Sequence, residues 1–389
     1  MIAFIDPFNR GLSHVPVNVG LLESALLASP GKGALIAAEE EHLAAMLDLL
    51  DDDLRKRVSQ AIIISTPPPN IGFGGRLRAD LANFRELLAH CDMGSTLLAG
   101  TVEPATLYAL RIALAGRRRK IARVAAVLHG NAADIAGWRA RNPMVRLTQL
   151  REALGWAPPD TRFVVLESSI SQALIESAPE LSGRLHVVPH PLPLAETQSP
   201  ASAREPTSAG HLKIAFLGSA NPNKGFAAFL AIAKTLTDRR RDMFDFQAIG
   251  WLPPQSVSLD MTGLSRRPAP QKIGRAEFVT ALSGVDYVCM PYDPNVYRFS
   301  ASGTLLDAIA NAKPLLALRT PMLDDLRREF GDIGEFGESI EDLCARTESL
   351  LTDPVPGRYS LQVANLSRIA ASRSPRAVAT SLSALWTNP

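Results

Sequence analysis

Residues 211–236 read "HLKIAFLGSANPNKGFAAFLAIAKTL". The apolar run over 212–217 predicts a buried strand that ends near Gly218, and the polar loop 219–223 follows it. Lys224 then stands where apolar residues with helical spacing begin. A strand, a short loop and a helix in this order are typical of a parallel sheet covered by helices. The stretch therefore predicts an α/β fold.

The same alternation of short apolar runs and helical patterns extends along most of the chain. It fills residues 1–190, stops in a segment rich in Pro, Ser and Ala at 191–211, and resumes over 212–365. Residues 366–389 have helical patterns that are interrupted at Pro375. We therefore predict two doubly wound, Rossmann-like domains joined by a linker and followed by terminal helices.

Composition excludes several classes of protein. The chain has 389 residues, of which 46% are hydrophobic and 21% charged, as in folded globular proteins. A formal net charge of +2 is far from that of a dedicated nucleic-acid binder, so we expect no nucleic-acid partner. The three cysteines lack metal-ligand spacing, and no signal peptide or membrane span is visible. We expect a cytoplasmic protein.

A second stretch, 297–314, reads "YRFSASGTLLDAIANAKP" and places small and hydroxyl residues at the mouth of a predicted helix. A helix N-terminus with exposed N–H groups and hydroxyls suits a phosphate. Asp307, one turn further in, could accept hydrogen bonds from the vicinal hydroxyls of a ribose. The residues expected at this mouth are Tyr292, which ends the preceding strand, and Ser300, Ser302, Gly303 and Thr304.

Lys224 and the helix mouth also have simpler interpretations. A P-loop would need Gly at position 223, where this chain has Asn223, so that motif is absent. Lys224 could be a solvated lysine at a helix start, and Ser302 or Thr304 could be ordinary helix caps. The other interpretation is that Lys224 and the helix mouth both belong to a ligand site.

Together these two stretches resemble the donor-binding domain of GT-B glycosyltransferases, particularly the retaining family-4 type. The order of strand, Gly, polar loop and Lys-Gly in "FLGSANPNKG" matches that family, as does the order of elements in "VDYVCMPYDPNVYRFSASGTLLDAIANAKPLLAL". The resemblance implies two Rossmann-like domains facing each other across a cleft. It implies an acceptor-binding domain over 1–190, a donor-binding domain over 212–365, and terminal helices over 366–389 that pack on the first domain.

The resemblance also implies roles for individual residues. Lys224 and the helix mouth would hold the donor diphosphate, Asp307 the ribose, and the strand end Gly218, Ser219 and Asn223 would line the site. Two positions depart from the family: Phe299 stands where its first glutamate would be, and Ser219 where its arginine would be. Arg298 could supply the missing positive charge, or it could be a solvent-facing arginine.

The first domain offers weaker candidates for the acceptor side. Gly11, Ser13 and His14 follow the first predicted strand, where the similar loop of the family lies near the donor phosphates and the acceptor. His129, near the end of the fifth strand, could act as a base or donate a hydrogen bond to a sugar, or could be structural. His190 is expected at the hinge side of the cleft.

A basic cluster interrupts an apolar stretch after residue 107. It could rest on anionic lipid at the inner face of a membrane, or it could be a solvated helix end. The cluster contains Arg111, Arg117, Arg118, Arg119, Lys120 and Arg123.

The sequence thus predicts a metal-independent hexosyltransferase that uses a UDP- or GDP-sugar as substrate and needs no cofactor. Its acceptor would be a glycan, a lipid-linked sugar or a polysaccharide precursor, in cell-surface polysaccharide synthesis. Two alternatives stay open: a sugar-nucleotide epimerase of the same fold, and a GT-B-like protein that binds nucleotide without catalysis.

Overall fold

The computed structural model describes residues 1–68, 70–116, 120–197, 211–240 and 242–387. The chain divides into two compact units. The first comprises Met1–Gln198, Phe299–Ala301 and Ser372–Pro389, and the second comprises Ser199–Arg298 and Ser302–Ala371. The division after Gln198 lies beside the boundary expected at residue 190, and the return to the first unit comes at Ser372.

Seven of the described strands form a parallel sheet in the first unit. In chain order they are β1 (Ile2–Ile5), β2 (Ala34–Ala38), β3 (Val58–Ile63), β4 (Ser95–Ala99), β5 (Ile121–Val127), β6 (Thr161–Val165) and β7 (Leu185–Val187). Their order across the sheet is β3-β2-β1-β4-β5-β6-β7. Every pairing between neighbours is parallel, and the chain winds outward from β1 in both directions.

The central strand β1 shows how this sheet is buried. Ile2 and Phe4 belong to one hydrophobic cluster, and Ala3 and Ile5 belong to another. Because successive side chains of a strand point to opposite faces, these clusters are the cores on the two sides of the sheet. A strand buried on both faces has a continuous apolar sequence, which is why the short apolar runs predicted a parallel sheet.

Helices cover both faces of the first sheet, and the last helix of the chain is one of them. Val378, Leu382 and Leu385 of that helix are buried in the same cluster as Ile2 and Phe4, against α1. The helices of this unit are α1 (Val15–Leu27), α2 (Glu40–Leu49), α3 (Asp52–Arg55), α4 (Gly72–His90), α5 (Pro104–Leu114), α6 (Ala133–Ala136), α7 (Pro143–Arg146), α8 (Leu150–Trp156), α9 (Ser168–Ser177), α10 (Leu194–Thr197) and α17 (Pro375–Thr387).

The second unit contains a parallel sheet of five described strands in the order β12-β11-β10-β8-β9. Its strands are β8 (Leu212–Ser219), β9 (Phe244–Trp251), β10 (Tyr287–Met290), β11 (Leu315–Leu318) and β12 (Gly334–Gly337). Its helices are α11 (Phe226–Arg239), α12 (Arg275–Ser283), α13 (Gly303–Ala310), α14 (Pro321–Phe330), α15 (Ile340–Thr352) and α16 (Arg358–Ser372). The α/β prediction is confirmed in both units.

Each sheet has a point at which the strand order reverses. In the first unit it lies between β1 and β4, and in the second between β8 and β10. Open α/β sheets bind their ligands outside the carboxyl ends of the strands at such a point. The loops after β1 and β8 and the segment after β10 contain most of the candidate residues.

Candidate functional site

The loop after β1 is held by a buried network around Asp6. The carboxylate of Asp6 accepts hydrogen bonds from the backbone N–H groups of Phe8 and Asn9 and from the side-chain amides of Asn9 and Asn18. His42, which is fully buried, contacts the Asn18 amide through Nε2 at 2.9 Å and the carbonyl of Gly11 through Nδ1 at 2.8 Å. Since the carbonyl can only accept, Nδ1 of His42 must donate.

The three acceptor-side candidates of this loop are placed differently. Gly11 adopts a φ of +50° and donates its backbone N–H to Glu39 at 3.0 Å. Ser13 is half-buried, and its backbone N–H donates to the carbonyl of Arg10. His14 is exposed and begins α1 with a left-handed backbone. The loop is therefore a fixed turn with His14 at its outer end.

Three histidines meet at this edge of the first sheet. The ring of His14 lies 4.5 Å from that of His129, measured between centroids, and the ring of His129 lies 5.4 Å from that of His190. Burial, with a smaller effect of His14, lowers the pKa of His129 to about 3. Burial also holds the pKa of His190 well below its usual range. Both rings are neutral at pH 7, so His129 is a weak base there but can still hydrogen-bond a sugar.

His190 lies deep in the first unit, and neither ring nitrogen has a hydrogen-bond partner among the described residues. Its backbone N–H contacts the carboxylate of Glu167 at 3.4 Å. Arg373, just before α17, forms a buried bidentate ion pair with the same carboxylate at 2.5 and 3.0 Å. This ion pair joins the end of β6 to the C-terminal helix.

At the edge of the second sheet, β8 ends where the family resemblance expected the start of a donor site. Gly218 has a φ of +82°, and a Cβ atom there would lie 2.8 Å from Thr304 and 3.5 Å from Nζ of Lys224. Gly225 has a φ of +70°, and a Cβ atom there would lie 2.0 Å from the carbonyl oxygen of Pro291. The two glycines allow Lys224 and the segment after β10 to approach the strand end closely.

The hydroxyl groups at the mouth of α13 bond to one another. The Tyr292 hydroxyl lies 2.5 Å from the hydroxyl of Thr304, which lies 2.9 Å from that of Ser302. Ser302 caps the helix by accepting the N–H of Leu305 at 3.4 Å. Burial raises the pKa of Tyr292 to about 12. These hydroxyls fix the mouth, while Gly303 is exposed at its surface and Ser300 is half-buried.

Asp307, Arg275 and Lys224 form a charged group at the same edge. Nη1 of Arg275, at the start of α12, lies 2.5 Å from Oδ1 of Asp307. Burial raises the pKa of Asp307, whereas Arg275 and, more weakly, Lys224 act to lower it. Burial lowers the pKa of Lys224, and the charge of Asp307 acts in the opposite direction. A half-buried lysine and arginine with one carboxylate between them suit an anion that carries hydroxyl groups.

Arg275 is not among the residues predicted from the sequence, where Arg298 was one candidate for the positive charge. Arg298 is exposed in the second unit, whereas Phe299 is half-buried against the core of the first. Asn223 is exposed and Ser219 half-buried, next to Lys224. A lone arginine after Gly274 has no motif, so only the topology could have placed it beside Asp307.

The predicted basic cluster is only partly described, because Arg117, Arg118 and Arg119 lie outside the described residues. Lys120 donates to the carbonyl of Leu88 at 2.9 Å, and Arg123 lies in β5. Across the described residues, every helix is too short or too polar to span a lipid bilayer. Among the same residues, no group of three or more His, Cys, Asp or Glu side chains is placed to hold a metal ion.

No protein-family model matches the chain, and no curated protein matches it by sequence. Solved structures match it over its whole length. A structure described as trehalose-6-phosphate from E. coli, bound with UDP-2-fluoro glucose, has 10% identity and a TM-score of 0.68, with 100% of both chains covered. HepE from Anabaena in complex with UDP and glucose has 13% identity and a TM-score of 0.66, with 100% of both chains covered.

A third match is WaaG, described as a glycosyltransferase involved in lipopolysaccharide biosynthesis, with 14% identity, a TM-score of 0.62 and 100% of both chains covered. This chain has the GT-B fold. The GT-B fold that the resemblance implied is therefore confirmed, and at these identities the likeness concerns the fold. Within the GT-B fold, Lys224, Arg275 and Asp307 lie in the C-terminal Rossmann-like unit, and the three histidines lie in the N-terminal one.

Proposed function

We propose that this GT-B protein is a glycosyltransferase that takes its sugar from a nucleoside-diphosphate sugar. The observation that carries the proposal is the charged group of Lys224, Arg275 and Asp307 at the switch point of the second sheet. GT-B structures with UDP or a UDP-sugar in their descriptions share the fold, which supports a nucleotide ligand.

Lys224 is the residue proposed to neutralise the leaving diphosphate. Its ammonium group lies near Gly218, where a ligand can approach the backbone at the carboxyl end of β8. The N-terminus of α13, with Gly303 exposed, presents its backbone N–H groups and the positive end of its dipole to the same anion. Because negative charge builds on the diphosphate as the sugar leaves, these groups stabilise the transition state more than the ground state.

Asp307 is proposed to accept hydrogen bonds from the ribose hydroxyls, with Arg275 as the residue that positions it. Arg275 binds Oδ1, and no described residue donates a hydrogen bond to Oδ2. Arg275 also opposes the effect of burial on the pKa of Asp307 and so favours the ionised, acceptor-only form. Arg275 is thus a second candidate, beside Arg298, for the positive charge of the site.

The finer features of the proposal rest on the sequence. They are a UDP or GDP donor, hexosyl transfer without a metal, and an acceptor in cell-surface polysaccharide synthesis. Gly11, Ser13, His14 and His129 remain the candidates on the acceptor side, and the buried ring of His190 packs against that of His129. The neutral state of His129 suits a hydrogen bond to a sugar hydroxyl better than proton abstraction.

A thermal-shift series with UDP-, GDP- and ADP-sugars tests the proposal. A donor at about 100 times its dissociation constant should raise the free energy of unfolding by about 2.7 kcal/mol. Sugar transfer or slow donor hydrolysis should then be seen by product analysis with the same donor. If no nucleotide sugar shifts the transition, the proposed function is wrong.

A binding protein without catalysis is the second candidate. Phe299 supports it, because an apolar side chain packed against the first unit's core replaces the glutamate that the family places near the reacting carbon. Donor binding with neither transfer nor hydrolysis, and no change of the sugar itself, would establish this alternative. Conversion of the sugar without an acceptor would instead indicate an epimerase.

A further inference from the structure

The segment 137–148, which includes α7, exposes large apolar side chains. Trp138 is 73% exposed and Met144 72% exposed, and Val145 and Leu147 are exposed as well. Contiguous exposed apolar residues on a folded protein commonly mark an interaction surface. Because such exposed large side chains contribute little to folding, we expect them to contact another molecule or a membrane.

The charges of this segment have one predominant sign. Residues 137–152 include four arginines and one acidic residue, Glu152, and Arg151 forms an ion pair with Glu180. Arg139 and Arg146 share a single carboxylate, that of Glu152, and Arg141 is exposed. The apolar side chains are therefore surrounded by net positive charge.

The segment is anchored on α8 and on Gln149, the residue before it. The side chain of Gln149 donates to the carbonyl of Trp138 at 2.6 Å and accepts the N–H of Ala140 at 2.9 Å. Arg146 donates to Glu152, within α8, at 2.8 Å. These bonds tie the backbone of the segment and the Arg146 side chain to the start of α8.

The same combination of side chains continues to the other end of α8. Trp156 is 49% exposed, and the guanidinium of Arg111 lies 5.5 Å from its ring centroid and donates to its carbonyl at 3.2 Å. We name this region the tryptophan surface and define it as Trp138, Met144, Val145, Leu147 and Trp156 with Arg111, Arg139, Arg141 and Arg146.

We propose that the tryptophan surface docks the protein on an anionic lipid bilayer. Tryptophan favours the headgroup region, where its ring is buried and its N–H remains hydrated. Arginine binds lipid phosphates bidentately and lays its apolar stem against the acyl boundary. Apolar side chains ringed by arginines match an anionic bilayer in both charge and polarity.

This surface differs from the basic cluster recognised in the sequence, with which it shares only Arg111. The sequence interpretation relied on consecutive charges and overlooked Trp138 and Met144, because a tryptophan or methionine in a sequence is more often a core residue. Free phosphate would need the arginines but not the apolar side chains. The apolar residues therefore distinguish a bilayer from a soluble anion.

Vesicle flotation of the full chain tests the proposal. We expect binding to vesicles of phosphatidylglycerol and phosphatidylcholine, weaker binding in high salt, and little binding to phosphatidylcholine alone. The double change Trp138→Ser and Met144→Ser should lower the partition constant about tenfold or more. Arg141→Gln should lower it about fivefold.

Met93→Ser is the matched control, because Met93 is 66% exposed on the first unit but lies outside the tryptophan surface. Thermal unfolding of each variant checks that the fold is intact. Brominated lipid should quench tryptophan emission in the native chain but less in Trp138→Phe, which keeps the apolar contact. Absence of binding, equal effects of the Met93 control and the double variant, or attachment only to an acidic protein would overturn the proposal.

Discussion

At the edge of the first sheet, the carboxylate of Asp6 accepts four hydrogen bonds from neighbouring N–H groups. At the edge of the second sheet, by contrast, the carboxylate of Asp307 is bound by Arg275 alone among the described residues. Asp6 is fully buried, and Asp307 retains 17% side-chain exposure. The aspartate that follows β1 and the aspartate within α13 are thus satisfied to very different degrees.

The difference is the one expected between a carboxylate that is satisfied within the protein and one that can still accept hydrogen bonds from a ligand. A buried polar group that is fully paired within the protein rigidifies its surroundings and has no capacity left for a ligand. A charged group with a partner on only one side is costly unless something else approaches it. We therefore expect mutations at the first edge to affect stability and mutations at the second edge to affect donor binding and turnover.

Asp6→Ala should have the largest effect on stability. It removes the acceptor of four N–H groups, three of them in buried hydrogen bonds, and we expect a loss of about 3 kcal/mol in the free energy of unfolding. Urea unfolding in a Trp251→Phe background measures it, because the remaining tryptophans, Trp138, Trp156 and Trp386, all lie in the first unit. Asp48→Ala, on the exposed side of α2, is the control. An unchanged transition would mean that the network does not hold this edge.

Lys224→Ala should have the largest effect on catalysis. Losing one fixed donor to the leaving group lowers the rate about 10²- to 10³-fold, with little change in stability. Lys234→Ala is the control, since Lys234 is an exposed lysine of the helix that follows Lys224. Steady-state rates of donor consumption measure both. Equal rates for the two variants would remove Lys224 from the proposed site.

Arg275→Gln should weaken donor binding about tenfold at neutral pH. Without Arg275 the pKa of Asp307 rises further, so the deficit should shrink as the pH of the buffer is raised. It should also shrink for a 2′-deoxyribose donor, which lacks one hydroxyl for Asp307 to bind. Calorimetric titration with UDP measures these differences, with the exposed Arg267→Gln as the control. A deficit independent of both pH and the sugar hydroxyl would show that Arg275 does not act through Asp307.

Glu23 provides a smaller, pH-dependent effect that belongs to the first unit alone. Burial raises the pKa of Glu23 from 4.5 to about 7, against the hydrogen bonds from the N–H groups of Asp51 and Leu194. The folded state therefore binds this proton more tightly than the unfolded state. The stabilisation is complete below about pH 4.5 and is lost as the pH rises through about 7.

The native chain should thus lose about 2 kcal/mol more of its free energy of unfolding across this range than Glu23→Gln, which cannot titrate. Urea unfolding of both proteins at the two ends of the range gives the slopes. The absolute stability of the variant does not matter for this comparison. If the free energy of unfolding of both proteins changed equally with pH, a group other than Glu23 would account for the pH dependence.

Local features of the fold could be predicted from the sequence, and features that depend on distant contacts could not. The strand ending at Gly218, Lys224 after it and the helix carrying Asp307 follow from residues next to one another. Arg275 is 32 positions from Asp307, and His42 is 31 from Gly11, so only the strand order brings each pair together. The strand β12 was missed because "GEFG" is short and half glycine.

The position of helix α17 affects how the protein folds during its synthesis. Val378, Leu382 and Leu385 complete a core whose other members lie in the first half of the chain. During synthesis that half leaves the ribosome with one hydrophobic side still open, and the second unit can finish folding before it. The first unit to be translated is therefore the last to be completed, and a nascent chain released before residue 375 would expose the apolar side of α1 to whatever chaperone or neighbour it meets.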